Sequence, residues 1–294
     1  MTVTGNKIVE TVMVVGYGSM GKGIVSSFAM SGFKTFVLTR DPSRLKNLPG
    51  KAIACANLPA DIPDLIIEAI PEKIELKTAL FAQLENEYGD IPILASNTSS
   101  LPLDEIANRL ARPERFIGIH YMHPAESLPM VEVIRVLQTS DRTLDRVKLA
   151  LKQTGKNSLV LNKPIVGFLI NRLQHALLHE AYFLIEQGIV DAKDIDQFAK
   201  WMFGPRMCVT GLIEQKDISG LDTHALAQQG IVPHLNLSRE PSKVVQDLYH
   251  MGHLGIKTGR GFYDWKDHDP ESHKARTEQK LQKLLSLLKE NAWD

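Results

Sequence analysis

The chain has 294 residues with 34 basic and 34 acidic side chains, and its balanced charge leaves no electrostatic footprint for a nucleic acid or an anionic membrane surface. Hydrophobic residues make up 44% and charged residues 23%, the proportions of a folded globular protein. Cys55 and Cys208 are the only cysteines, too few for a disulfide framework and in keeping with a reducing compartment.

Residues 8–162 alternate short β-rich runs with helical stretches, the pattern of an α/β, doubly wound parallel sheet. The spacing predicts strands at Val12–Val15, Thr35–Leu38, Ala52–Ala54, Leu65–Ile70, Ile93–Ser96, Phe116–His120, Val131–Val136 and Leu159–Leu161. Several are nearly continuous apolar runs, as strands covered on both faces should be. Helices are expected at Met20–Ser31, Ile74–Glu87, Leu103–Leu110 and Leu144–Thr154. After Gly167 the strand signal fades. Ile170, Leu173, Leu177, Ala181 and Leu184 then fall at helical spacing, with Gly188 as a stop and Asp191 as the cap of a further helix running to about Phe203. Leu281, Leu284, Leu285 and Leu288 give a late amphipathic stripe. The expected division is a Rossmann-type nucleotide domain over 1–165 and a smaller all-α domain over 166–294, with Pro164 marking the junction. Met1–Lys7 lacks the apolar core of a signal peptide. No apolar run has the ~18–20 residues of a membrane helix, so the expected location is the cytoplasm.

The first strand runs into Gly16-Tyr17-Gly18-Ser19-Met20-Gly21, a G-x-G-x-x-G that opens a helix. Gly16 allows the tight turn, Gly18 lets backbone approach a pyrophosphate, and Gly21 lets helix pack on strand. The helix start, with Ser19 and Met20, supplies unpaired N–H groups to the phosphates. The second strand continues into Thr39-Arg40-Asp41. Arg40 stands where an NAD-binding protein usually carries an acid, and a guanidinium there pairs with a 2′-phosphate. That favours NADP over NAD. In the alternative, Arg40 is a solvated turn residue and Asp41 holds the diol of NAD.

Ser96-Asn97-Thr98-Ser99-Ser100, then His120, then Glu132 place a hydroxyl, an imidazole and a carboxylate at the ends of successive predicted strands. A secondary alcohol is a very weak acid, so its proton must leave as the hydride leaves, to a base such as an imidazole steadied by a carboxylate. A base of that kind beside a dinucleotide site is the apparatus of a dehydrogenase. Taken singly, each residue has a plain structural reading: His120 and Glu132 as strand-end side chains, Ser99 as a helix cap, Asn171 as the closure of a helix–loop bond. His175 and His179 are spaced i, i+4 but lack a third ligand or an acidic motif, so no metal site is expected.

With these motifs in view, the chain resembles the L-3-hydroxyacyl-CoA dehydrogenase family over nearly its whole length. The matching pieces are the glycine loop through Ile24, Glu68-Ala69-Ile70-Pro71-Glu72 with Lys77, the Ser96–Ser100 run, Arg112–His120, Val131–Ile134 and Gly167-Phe168-Leu169-Ile170-Asn171-Arg172. Gly220–Thr223 and Lys257–Tyr263 match late in the chain. The resemblance implies that His120 removes the 3-hydroxyl proton, Glu132 holds the imidazole, and Ser99 and Asn171 hydrogen-bond the reacting oxygen. It also implies contacts from Glu72, Lys77 and Asn97 to the cofactor. A homodimer through the C-terminal domain is implied too, although the leucine stripe has the alternative of packing within its own chain.

Three departures bear on substrate. Too few residues separate Arg40 from Asp64 for the helical insertion by which family members hold CoA, His123 replaces an amide close to His120, and the usual Pro-Met-Gly-Pro segment is missing around Arg206. A small free 3-hydroxy acid fits these departures, with Arg206 gripping its carboxylate; otherwise Arg206 is a surface residue or a partner of Glu214. Two other readings stand beside this one: an ordinary NAD-dependent 3-hydroxybutyryl-CoA dehydrogenase, and a catalytically silent nucleotide-binding protein. A 3-hydroxyisobutyrate-type enzyme would use a lysine on the long helix, and none occurs between Gly167 and Gln187.

Overall fold

The computed structural model describes residues 8–290. The reading of Met1–Lys7 as no signal peptide lies outside the described residues. The chain divides into two compact units, Met1–Arg172 and Leu173–Asp294, and the division falls in the first turn of a long helix.

The first unit holds one sheet of eight strands: β1 (Thr11–Val15), β2 (Lys34–Leu38), β3 (Ala52–Cys55), β4 (Leu65–Glu68), β5 (Ile93–Ser96), β6 (Phe116–His120), β7 (Met130–Ile134) and β8 (Asn157–Leu161). Their order across the sheet is β3-β2-β1-β4-β5-β6-β7-β8. Helices α1 (Ser19–Met30), α2 (Ile74–Tyr88), α3 (Leu103–Ala107) and α4 (Asp141–Gln153) cover it. Alternation along each strand sorts the core into two layers. Val12 and Val14 face Ile24 and Phe28 of α1 with Val147 and Leu151 of α4, whereas Met13 and Val15 belong with Phe81 and Leu84 of α2 and Ile106 of α3. All of these side chains are buried, and a fully buried Phe or Leu contributes roughly 1.5–3 kcal/mol. The Rossmann-type expectation holds, with one change.

The sheet is not parallel throughout: β6 pairs with β7 antiparallel, and β7 then pairs with β8 parallel. A parallel crossover needs a dozen or more residues, usually a helix, and the short 121–129 loop leaves room only for the chain to fold back. Between β2 and β3 there is only a 3₁₀ turn at Pro42–Arg44, and no helix lies between β3 and β4. The missing insertion read from the sequence is thus a bare edge at this side of the sheet.

The second unit carries the remainder of α5 (Ile170–Glu186), then α6 (Ala192–Phe198), α7 (Gly204–Thr210), α8 (Glu214–Ser219), α9 (Leu221–Ile231), α10 (Lys243–His250) and α11 (Pro270–Glu290). Asp191 caps α6, its side chain accepting from the Asp194 N–H at 2.8 Å. One π-helical turn, Ala199–Phe203, continues α6 towards the expected end at Phe203. No residue from Leu173 to Glu290 is buried. Polar ties hold the unit together instead: Glu186 accepts from Ser242 Oγ at 2.6 Å and the Val244 N–H at 2.9 Å, and Tyr263 donates to Asp196 at 2.8 Å. Among the described residues no helix is long and apolar enough to cross a membrane.

Candidate active site

The C-terminal ends of β1, β4, β5 and β6 lie side by side, and the strand order reverses between β1 and β4. Ligands of open α/β sheets bind outside such a switch point. The glycine loop sits there. Gly16 has φ +100° and its absent Cβ would lie 2.6 Å from the Ala69 carbonyl oxygen, while a Cβ on Gly21 would stand 2.2 Å from the Gly16 oxygen. Neither position admits a side chain. A Cβ on Gly18, by contrast, would meet nothing within 4 Å. Gly18 also caps α1 without any side-chain bond to its first N–H groups, so the helix start, with Ser19 and Met20, is an open cradle with donors. The residues present fit a dinucleotide.

Beyond β2, Thr39 is half-buried and Arg40 is exposed. Asp41 caps the 3₁₀ turn, pairs with Arg44 at 2.8 Å and accepts from Ser43 Oγ at 2.5 Å. The acid that would serve NAD is therefore already engaged in its own turn.

Beside the loop, Glu68 ends β4 fully buried, an ionisable group at the end of an apolar strand that must find partners. It has three: the Ile70 N–H at 2.7 Å, Ser96 Oγ at 2.6 Å and Lys77 Nζ at 2.5 Å. Lys77 is itself 1% exposed and lies 3.1 Å from Glu72. Lys77 is thus a covered ammonium held between two carboxylates. Glu72 is more open. Its Oε1 accepts from Thr98 Oγ1 at 2.5 Å, the Ser99 N–H at 2.9 Å and the Ser100 N–H at 3.2 Å. Burial pushes its pKa up, but the Thr98 hydroxyl, the Lys77 charge and the Ser99 N–H together bring it down to about 2.

Ser99 is exposed and its hydroxyl also lies on Glu72, at 3.2 Å. The Asn97 side-chain oxygen accepts from the Tyr121 N–H at 2.9 Å, tying the end of β5 to the residue after His120. Sequence reasoning missed this tether and the Glu68 hub. The signal for the hub was a carboxylate closing the run Leu65-Ile66-Ile67.

His120 and Glu132 are directly opposed in the antiparallel β6–β7 register. His120 Nδ1 lies 2.7 Å from Glu132 Oε2, with both side chains 5% exposed. The second carboxylate oxygen accepts from the Leu169 and Ile170 N–H groups at 2.9 and 3.0 Å. Burial raises the pKa of Glu132, yet the bonds from His120, Ile170 and Leu169 outweigh it and the net shift is downward. Glu132 is then a carboxylate at neutral pH and accepts only, so Nδ1 carries a hydrogen; in the neutral imidazole the lone pair is therefore on Nε2. Asn171 is half-buried in the first turn of α5 and makes no side-chain hydrogen bond among the described residues. Arg206 lies exposed on α7 in the second unit; once the Gln215 amide is reassigned so that its oxygen faces the guanidinium, that oxygen accepts from Nε at 3.0 Å.

A family model described as the 3-hydroxyacyl-CoA dehydrogenase NAD binding domain matches residues 56–164, and that of the C-terminal domain matches residues 167–265. A probable 3-hydroxybutyryl-CoA dehydrogenase of Bacillus subtilis is 32% identical over 286 residues, covering 88% of this chain and 98% of the relative. The chain belongs to the 3-hydroxyacyl-CoA dehydrogenase family. It is an oxidoreductase that uses a nicotinamide cofactor and acts on a hydroxyl-bearing carbon. A 5-formyl-3-hydroxy-2-methylpyridine 4-carboxylate 5-dehydrogenase of Mesorhizobium japonicum is 26% identical over 304 residues, covering 95% of this chain and 97% of the relative. A crystal structure of an enzyme of that name, described as an NAD+-dependent dismutase, shares the fold with a TM-score of 0.88 at 24% identity, over 96% of this chain and 99% of the other.

Proposed function

We propose that the chain moves a hydride between a nicotinamide cofactor and the 3-hydroxy/3-oxo carbon of a small 3-hydroxy acid or its thioester, with His120 as general base. The observation that carries this reading is the 2.7 Å bond from Nδ1 to Glu132, which leaves Nε2 as the proton acceptor. As the C3–H bond breaks, the hydroxyl proton passes to Nε2 and the carbon–oxygen double bond forms; reduction runs the same transfers backwards. Glu132 keeps the tautomer fixed and stabilises the imidazolium that results. Ser99 and Asn171 donate to the reacting oxygen. A bound nicotinamide supplies the hydride acceptor. Gly16, Gly18, Ser19, Met20 and Gly21 hold its pyrophosphate, with Glu72 and Asn97 beside the nicotinamide half and Lys77 acting through Glu72.

Arg40 gives a preference for NADP. It is exposed and carries no acidic partner among the described residues, and Asp41 is bound to Arg44. A hydrogen bond to a charged group contributes about 1.5–3 kcal/mol, so Arg40→Asp should move the ratio of kcat/KM for NADPH to that for NADH by about 10–100-fold toward NADH. No change would mean that Arg40 does not touch the cofactor.

The short β2–β3 link, with only the 3₁₀ turn Pro42–Arg44 in it, supports a substrate smaller than a fatty acyl-CoA. The Mesorhizobium relative is named for a formyl-bearing pyridine carboxylate; a hydrated aldehyde offers the same CH–OH carbon to the same base. Steady-state rates with acetoacetyl-CoA, free 3-oxo acids and an aromatic formyl acid, each with both cofactors, separate the substrates. His120→Ala should lower turnover by about 10²–10⁴-fold with cofactor affinity kept; near-normal turnover rejects the base. Cofactor binding without turnover on the whole panel would leave the catalytically silent reading.

The second unit supports a homodimer. Trp201, Leu226 and Leu237 are each 70% exposed or more, and a helical unit without one buried residue needs a partner surface. A cytoplasmic location completes the proposal.

A further inference from the structure

We infer that Phe168 is a positioning residue for the His120–Glu132 pair: its ring closes over the imidazole while its backbone turns the next two N–H groups onto the carboxylate. This rests on the reading of His120 as the base, but it concerns a residue to which neither the family resemblance nor the site chemistry assigns a role. Three independent observations converge on it. The Phe168 ring centroid lies 5.3 Å from that of His120 with the planes inclined at 58°, and the phenyl is 2% exposed. Phe168 has φ +46°, one of two non-glycine residues with positive φ among the described residues. The two residues that follow it, Leu169 and Ile170, are the ones whose N–H groups bond Glu132 Oε1.

These features make one device. Gly167, at φ +79°, takes the turn position that suits glycine, and the Phe168 N–H closes that turn on the Ile165 carbonyl at 2.9 Å. A left-handed phenylalanine is unfavourable by itself and persists only where its surroundings fix it. Here the fixing comes from the core layer that also contains Ile134 and Val136 of the strand carrying Glu132 and the segment just after it. In that conformation the chain enters α5 with two N–H groups aimed at one carboxylate oxygen, so the other oxygen is left to the imidazole. The ring excludes water from the imidazole face and keeps the Nδ1–H on Glu132. Substrate need not touch Phe168 for it to matter.

The test uses the full-length protein labelled with 15N-histidine. The Nδ1 proton of His120, bonded to a buried carboxylate, should give a downfield resonance that exchanges slowly with water and disappears in His120→Ala. In Phe168→Leu, which keeps apolar bulk but loses the ring, that resonance should broaden or vanish and kcat should fall by about 10–100-fold, the scale of an ångström-sized misplacement. KM for the cofactor should hold. Ile170→Pro is the second variant. Proline is tolerated at the first helical position, Ile170 is 39% exposed, and the change deletes one donor to Glu132 without touching the core. It should weaken the same resonance even if Phe168→Leu fails to fold. A resonance that persists in both folded variants overturns the proposal, whatever the rate. Loss of the resonance together with full turnover in His120→Ala would keep the positioning role and reject the base instead.

Discussion

The two units of this chain solve folding in opposite ways. The first unit buries Val12, Met13, Ile66, Phe81, Phe116 and Val147 completely, with apolar layers on both faces of one sheet. The second, described from Leu173 to Glu290, has no buried residue, and exposed polar bonds such as Tyr263 to Asp196 tie its helices together. Such bonds contribute about 0.5–1.5 kcal/mol each, well below one buried aromatic. Precise geometry can be built where the core is closed. Every hydrogen bond that orients His120, Glu132 or Glu72 belongs to the first unit, on strands and adjoining loops held by a closed core.

The largest effect expected on that comparison comes from the centre of the first unit. Lys77→Met leaves Glu68 fully buried with its main counter-charge gone, which should destabilise the unit by about 3–5 kcal/mol in urea unfolding. Adding Glu68→Leu should recover most of the loss, since removing both charges leaves no orphan. If Lys77→Met alone proved neutral, the buried pair would be incidental and the contrast between units would weaken. Dilution should act on the other unit. If a second copy covers it, lowering the protein concentration 100-fold should lower its apparent stability by about 2.7 kcal/mol, while the first unit's transition stays put. A sedimentation mass equal to one chain, at concentrations where the unit is folded, would break the contrast at its second half.

The sequence was most legible where burial is two-sided. Continuous runs such as Val12-Met13-Val14-Val15 and Leu65-Ile66-Ile67 marked strands because only a covered strand tolerates them, and all eight strand positions were found within a few residues. The glycine loop was legible for a steric reason: Gly16 and Gly21 have no room for a Cβ. The antiparallel turn at β6–β7 was not. A strand's own pattern is the same in either direction, and only the length of the 121–129 loop carried the information. The burial of Lys77 was hidden for another reason. A lysine on an amphipathic helix ordinarily faces water, and nothing local announces that Glu68 and Glu72 will converge on it. Likewise Phe168 reads as one more apolar residue, because its positive φ is imposed by the core around it.

The smallest effect concerns Glu72, the half-open carboxylate between the buried pair and the exposed serine loop. Its folded pKa is lowered to about 2 from an ordinary 4.5. A depressed carboxylate stabilises the fold fully above its unfolded pKa, and that stabilisation is lost as pH falls toward the folded value. The first unit should therefore lose stability between about pH 4.5 and 2, in thermal melts followed across that window. Glu72→Gln should flatten this limb, because the amide still accepts from Thr98 and Ser99 but no longer titrates. Since Glu72 is 36% exposed, solvent screens its interaction with Lys77 and the change should be modest. The second unit supplies the control. Glu186 is also lowered, by bonds from Ser242 and Val244. Its acid sensitivity should survive in Glu72→Gln, so a variant that flattens both units alike would show that Glu72 is not the titrating group.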